Sequence, residues 1–294
     1  MFEQPINKTM DFDDLNSKLT EGIVSELNSL IAQLAAKNLK ISSWYGVFDL
    51  PGDPRSTEVV NRGYDYRSLP GAVDDRNFPW FLYWEIVWLV INTDFKPHDN
   101  ILDLGGSSSL FSFYLASKGN DVTTVDLNSG LVENANHVAE KMNWRMRNYV
   151  MDMRNLTVDT EFASQFDHVT SVCVYEHIPL HDRVAMNRGI RNLLVDGGTF
   201  SITFDYRNPS RAARISSPGD VRVQFVEPSG LKVRGNQEFL DNGKNYLLHP
   251  FYSKRRLWKC KAAEIKGGHF SPLDLFKTKN CNDYTFGALF LEKK

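Results

Sequence analysis

Between Ile101 and Ser109 the chain reads Ile-Leu-Asp-Leu-Gly-Gly-Ser-Ser-Ser, an apolar run that ends in Asp103-Leu104 and turns on Gly105 and Gly106 into a serine cluster. Small residues let a backbone pass close to a ligand, and the amides of the helix start that follows can meet its polar groups. About twenty residues later a second apolar run, Val122 to Val125, ends at Asp126, where a carboxylate can accept both hydroxyls of a ribose. Taken singly these are a tight turn and a surface carboxylate. In a strand–turn–helix–strand order they mark a nucleoside site.

The loop does not follow the dinucleotide pattern GxGxxG, because Ser107 and Ser109 stand where further glycines are expected. Serine there crowds a pyrophosphate and suits a smaller nucleoside ligand. Further along, Tyr175-Glu176-His177 ends an apolar run, and a histidine at a strand end can take a proton near neutral pH. His177 could equally tie its loop to nearby backbone, and Glu176 could be a solvent-facing loop charge. His181 and Asp182 follow, but Pro179 interrupts the helix that would set two histidines on one face, so no metal site is expected. Tyr206 could orient an acceptor or simply pack. Arg207, Arg211, Arg214 and Arg222 form a modest basic run diluted by Asp205 and Asp220.

These groups need a scaffold. After Asp99 short strand patterns alternate with helices, as in a mostly parallel sheet covered on both faces. Strands are expected at 100–104, 121–125, 149–151, 168–174, 199–204, 221–225 and 284–291, and helices at 110–117, 131–142, 158–166 and 181–194, the last stopped by Gly197-Gly198. Before Asp99, Leu15, Leu19, Ile23, Leu27, Leu30, Ile31 and Leu34 trace one helical stripe. It is expected to pack on the body, with a partner or a second copy as the minority alternative. Residues 42–75 are irregular and rich in Gly, Pro, Asp and Arg, and Trp44, Tyr45, Tyr64, Tyr66 and Trp80 are candidates to cover a pocket. An aromatic helix over 79–92 is too short to span a bilayer and is expected to be buried.

Composition narrows the classes. With 42% hydrophobic residues, 24% charged and a net charge of -2, the chain is an ordinary globular one with no call for a polyanionic partner. Lys254, Arg255, Arg256 and Lys259 are too local to make a nucleic-acid binder. Three scattered cysteines argue against a disulfide framework and for a reducing, cytoplasmic setting. The amino-terminal residues carry no secretory pattern.

The stretch from Asn100 to about Tyr206, with the last strand at 284–291, resembles the class I S-adenosylmethionine-dependent methyltransferase family. The resemblance implies an α/β fold: a mostly parallel, seven-stranded Rossmann-like sheet with helices on both faces. It would occupy residues 99–294, with a substrate-recognition insertion near 207–283 and an amino-terminal helical extension and possible active-site lid over 1–98. It implies S-adenosyl-L-methionine held by Asp103, Gly105, Gly106, Ser107, Asp126, Asp152, Met153 and Tyr175. Asp126 would take the ribose, Asp152 and the Met153 amide the adenine, and His177, Glu176 and Tyr206 would serve the acceptor. The expected activity is methyl transfer to a small organic or sugar-derived molecule, oxygen slightly favoured. A nicotinamide-dependent oxidoreductase and a noncatalytic cofactor-binding scaffold joined to a partner by the 15–34 helix are the alternatives.

Overall fold

The computed structural model describes residues 5–48, 71–73, 77–158, 160–248, 254–268 and 283–294. Tyr64, Tyr66 and Cys281 lie outside them.

The parallel core consists of β2 (Asn100–Leu104), β3 (Asp121–Asp126), β4 (Met146–Val150), β5 (Phe166–Val172) and β6 (Leu194–Tyr206). With β1 (Lys8–Thr9) and β9 (Asp283–Glu292) they lie in the order β1-β9-β6-β5-β2-β3-β4. β9 runs antiparallel to β6 from Thr199↔Glu292 to Tyr206↔Thr285 and also pairs β1, β7 (Lys232–Val233) and β8 (Tyr246–Leu247). The order reverses between β2 and β5, so their carboxyl ends open a crevice, the usual ligand position in open α/β sheets.

One sheet face is covered by α1 (Lys18–Ala36), α2 (Trp80–Thr93), α3 (Leu110–Ser117) and α4 (Ser129–Met142). α1 starts at a capping box between Ser17 and Thr20 and turns Ile23, Val24, Leu27, Leu30 and Leu34 inward, while Leu19 is 64% exposed. The expected stripe is therefore covered within the chain, Leu19 apart. α2 is buried on nearly all sides. Its Trp84 indole donates to Asp14 at 2.8 Å and its Trp88 indole to the Ile6 carbonyl at 2.9 Å, so these two N–H groups have partners. Among the described residues no helix is long and apolar enough to cross a membrane.

The other face carries α5 (Leu180–Leu193) and a helical run over 218–229, here α6, above an apolar layer that includes Phe200, Phe204, Phe225 and Phe239. α7 (Lys254–Lys266) stands nearer the crevice.

Three local expectations are corrected. Residues 221–225 are helical: Ser217 caps the run with Asp220, Pro218 takes the first turn, and Val221, Gln224 and Phe225 fall on one buried face. The short apolar run fits either period, and the capping box decides it. Gly197 and Gly198 do not stop α5, which passes directly into extended backbone at Leu194. Instead Gly197, at φ +81°, donates to the Lys293 carbonyl within β6, and a Cβ on Gly198 would fall 3.0 Å from the Asp167 carbonyl oxygen. The helix expected at 158–166 is replaced by 3-10 turns at Met153–Val158 and Thr160–Phe162, with β5 beginning at Phe166.

Leu27 is fully buried between α1 and the core. Leu27→Ala should lower the unfolding free energy by about 2–5 kcal/mol in denaturant titration, in a single transition, because the amino-terminal helix shares the sheet's core.

Candidate functional site

Asp103 at the end of β2 is 1% exposed. It accepts from Thr170 Oγ1 at 3.0 Å and Ser112 Oγ at 2.5 Å, and burial pushes its carboxyl up to about 6 despite both bonds. Against it lies Gly106, where any Cβ would sit 1.8 Å from Asp103 Oδ2. Gly105 holds φ +77° and meets Val174 as closely as a chain can without a side chain of its own.

The serines that depart from the glycine pattern turn their hydroxyls away from the crevice. Ser107 Oγ bonds Thr124 at 2.6 Å, and Ser108, left-handed at φ +63°, donates to the Leu131 carbonyl at 2.6 Å. Ser109 accepts from the Ser112 amide at 3.0 Å and caps α3. With hydroxyls tied into β3, α4 and α3, the loop presents mainly backbone to a ligand, as glycines would.

A cavity of about 500 Å³ begins at this loop. Asp103, Gly105, Gly106, Ser107, Asp126 and Asn128 line one end. The Asp126 carboxylate accepts the Asn128 amide at 2.8 Å, and partial burial raises its pKa. Ser42 to Gly46 form a roof, where the Ser42 amide donates to the Ser108 carbonyl at 2.8 Å. The Trp44 indole donates to Glu85 at 3.1 Å, and Glu85 also accepts from Thr203 at 2.8 Å. Glu85 is fully buried, which pushes its carboxyl well up. Trp44 and Tyr45 line the cavity, whereas Trp80 is buried in the core.

Cys173, Val174, His177, Asn208, Ser210, Arg211 and Lys259 also line the cavity. The turn Tyr175–His177 is fixed by Arg183, which donates to the Glu176 and Ile178 carbonyls at 2.7 and 3.0 Å. His177 is open to the cavity yet crowded by protein. That crowding, with the Arg211 charge beside it, pushes its ring down to about 4, so it is neutral at physiological pH. The Arg211 guanidinium lies 2.9 and 2.6 Å from the two ring nitrogens and pairs with buried Asp205 at 2.6 Å.

Of the residues expected at the site, Asp103, Gly105, Gly106, Ser107, Asp126 and His177 share this cavity. The others lie beside or behind its wall. Glu176 is buried, accepts the Cys173 thiol at 2.9 Å and the Asp205 amide at 3.2 Å, and is pushed up to about 7 by burial and by Asp205. Tyr175 packs on Phe200 and Phe225. Tyr206 is buried with its hydroxyl on Asp241 at 3.1 Å. Asp152 is gripped by Arg154 at 2.5 Å, which holds its carboxyl below the usual range, and Met153 packs toward the α5 face. Cys173, Glu176 and Asp205 are close enough to share a cation, but the thiol proton and Arg211 already engage them. Asn208, Ser210 and Lys259 were not anticipated. Only the polar composition after Tyr206 hinted at them.

A seven-strand order with an antiparallel last pair, and a small-residue loop beside a carboxylate at the switch point, define an open α/β domain with one cavity at its crevice. Residues 101–198 match the methyltransferase domain model. The chain is 28% identical over 174 residues to the ubiquinone biosynthesis O-methyltransferase of Xanthomonas campestris pv. campestris strain B100, spanning 55% of this chain and 71% of that one. It is 31% identical over 109 residues to the enzyme of the same name from Coxiella burnetii strain Dugway 5J108-111, spanning 37% and 44%. Among solved structures the [4+2]-cyclase SpnF shares the fold at TM-score 0.51 and 13% identity, covering 94% of this chain and 96% of that one. Over its parallel core the chain is therefore similar to class I S-adenosylmethionine-dependent methyltransferases.

Gly106→Ala should weaken S-adenosylhomocysteine binding at least tenfold by calorimetry (about 1.4 kcal/mol), since the new methyl displaces Asp103. The raised Asp103 pKa means the folded state holds a proton that the unfolded chain releases, so its contribution to stability is complete below about pH 4 and lost as pH rises through about 6. Asp103→Asn should flatten the stability profile in that window, read by denaturant midpoints at successive pH values.

Proposed function

We propose that the chain transfers the methyl group of S-adenosylmethionine to a hydroxyl oxygen of a small organic acceptor. The observation that carries this is one continuous cavity joining the Asp103–Ser107 loop and Asp126 to a neutral His177. The residues fit the cofactor: Gly106 leaves a cradle that a Cβ would fill, and Asp126 ends β3 with its carboxylate at the cavity wall. Bound S-adenosylmethionine supplies a methyl group already activated on a sulfonium.

This chain's residues then have four tasks. The loop backbone and Asp126 hold the nucleoside. Asp152 and Met153 stand past the end of β4 on the adenine side, and Asp152 must give up part of its Arg154 pairing to meet an amino group. The roof at Ser42 to Gly46 excludes water. His177 lines the acceptor side, and its one acceptor nitrogen takes the acceptor hydroxyl once it gives up its Arg211 contact. At a pKa near 4 it is a weak base, so it orients more than it deprotonates, and the hydroxyl proton passes to solvent at the cavity mouth as the methyl group is transferred. Tyr206 acts from behind, by fixing the end of β6. A reducing, cytoplasmic setting is part of this reading, with Cys173 and Cys260 both buried.

S-adenosylhomocysteine should bind with micromolar affinity in calorimetry and at least tenfold more weakly to Asp126→Ala. Absence of binding by the folded protein would overturn the site. In proton NMR the His177 ring should titrate near pH 4 rather than near 6.5. A midpoint near 6.5 would restore it as a general base.

A further inference from the structure

α7 turns Cys260, Ala263 and Glu264 into the protein, where Glu264 pairs with Arg214 at 3.4 Å. Its outer face has a different character. Trp258 is 67% exposed and Ile265 60%, two turns apart, with exposed Ala262 between them. At helical spacing the three make one apolar stripe. The same spacing sets Lys261 on one flank and Lys259 and Lys266 on the other. The Lys261 ammonium lies 5.7 Å from the Trp258 ring centre, so stripe and flank touch. A single aliphatic side chain in water is ordinary on a protein surface. A tryptophan and an isoleucine in line, with lysines on both sides, form the outer face of an interfacial helix.

The charge around the stripe selects its partner. Residues 250–282 hold eight Lys or Arg and two acids, in a chain whose net charge is -2. Whatever pairs form within that segment, it keeps a positive excess, and one of its two acids, Glu264, is answered by Arg214 from outside it. Acidic headgroups meet such an excess, while the indole and the Ile265 side chain enter the boundary between headgroups and acyl chains. Tryptophan favours that depth, because its ring is apolar and its N–H stays within reach of polar groups. At 13 residues α7 is about 20 Å long and suits lying along a bilayer rather than crossing it. A nucleic acid or an acidic peptide would use the charge but offers Ile265 no apolar phase. We infer that α7 is a membrane-docking face, laid on an anionic lipid surface with Trp258 and Ile265 inserted. Lys259 follows Trp258 and lines the cavity, so the docked chain would hold its cavity beside the lipid.

The full chain is sedimented with vesicles of phosphatidylcholine alone or of phosphatidylcholine with about one part in three phosphatidylglycerol. It should bind the anionic vesicles at least about tenfold tighter, and more weakly as salt rises. Trp258→Ala should weaken that binding at least about fivefold, and Lys266→Glu by a similar factor. Both side chains stand in solvent, so the denaturant midpoints of the two variants should match that of the unsubstituted chain. Lipid brominated on its acyl chains should quench part of the tryptophan emission. Trp258→Phe should remove most of that quenching while keeping vesicle affinity within about threefold. Equal binding to neutral and anionic vesicles, no binding to either, or binding that Trp258→Ala leaves unchanged overturns the inference. Polyglutamate and a single-stranded oligonucleotide are titrated in parallel. A complex with either that is tighter than the vesicle complex and indifferent to Trp258→Ala assigns the face to that polyanion and also overturns it.

Discussion

A single carboxylate buried without a cation organises this molecule. Asp103 is held by two hydroxyls, from β5 and from α3, and so ties the central strand to its neighbour and to the first helix after the loop. A charged group in that position is costly, which is why its pKa rises and why it needs both donors. Its oxygen also occupies the space beside Gly106, so the loop must curve around it with no side chain there. Curvature of the loop, placement of the α3 amino terminus and the opening of the crevice all follow from that contact.

The cavity wall at Cys173 is built by a different rule. Cys173, Glu176 and Asp205 cluster in the interior with Glu85 close by, and one guanidinium answers several acids. Such a group is stable only when some of its members keep their protons. The cost falls on buried side chains, Glu85 and Glu176 among them. The neutral His177 belongs to the same balance, since burial and the Arg211 charge discourage protonation of the ring while Asp205 favours it.

Much of this was legible in the sequence. β2 and α3 fall at the limits expected from hydrophobic period and turn residues, and the positions of Asp103, Gly105, Gly106 and Asp126 around one crevice follow from strand ends alone. Residues 221–225 were misread because five apolar and polar residues fit a strand as well as a helix, and the Ser217–Asp220 cap was the deciding sign. The serine loop read only as a departure from the glycine pattern, because sequence gives residue types but not hydroxyl directions. Lys259 lies 133 residues from Asp126 by number, and only the tertiary fold sets both at one cavity. Asp152 was placed by pattern, but its grip on Arg154 depends on a turn that pattern does not specify.

The pairing of β1 with β9 has a temporal side. Lys8 sits opposite Ala288, and the Met10 amide donates to the Phe286 carbonyl. A ribosome delivers these partners at opposite ends of a long interval, so the early segment leaves the exit tunnel without the strand it will join. Loop closure over that span is slow and comes late. During synthesis the parallel strands can assemble while β1 and its flanking residues wait uncovered, and the newborn chain depends most on chaperones in that period.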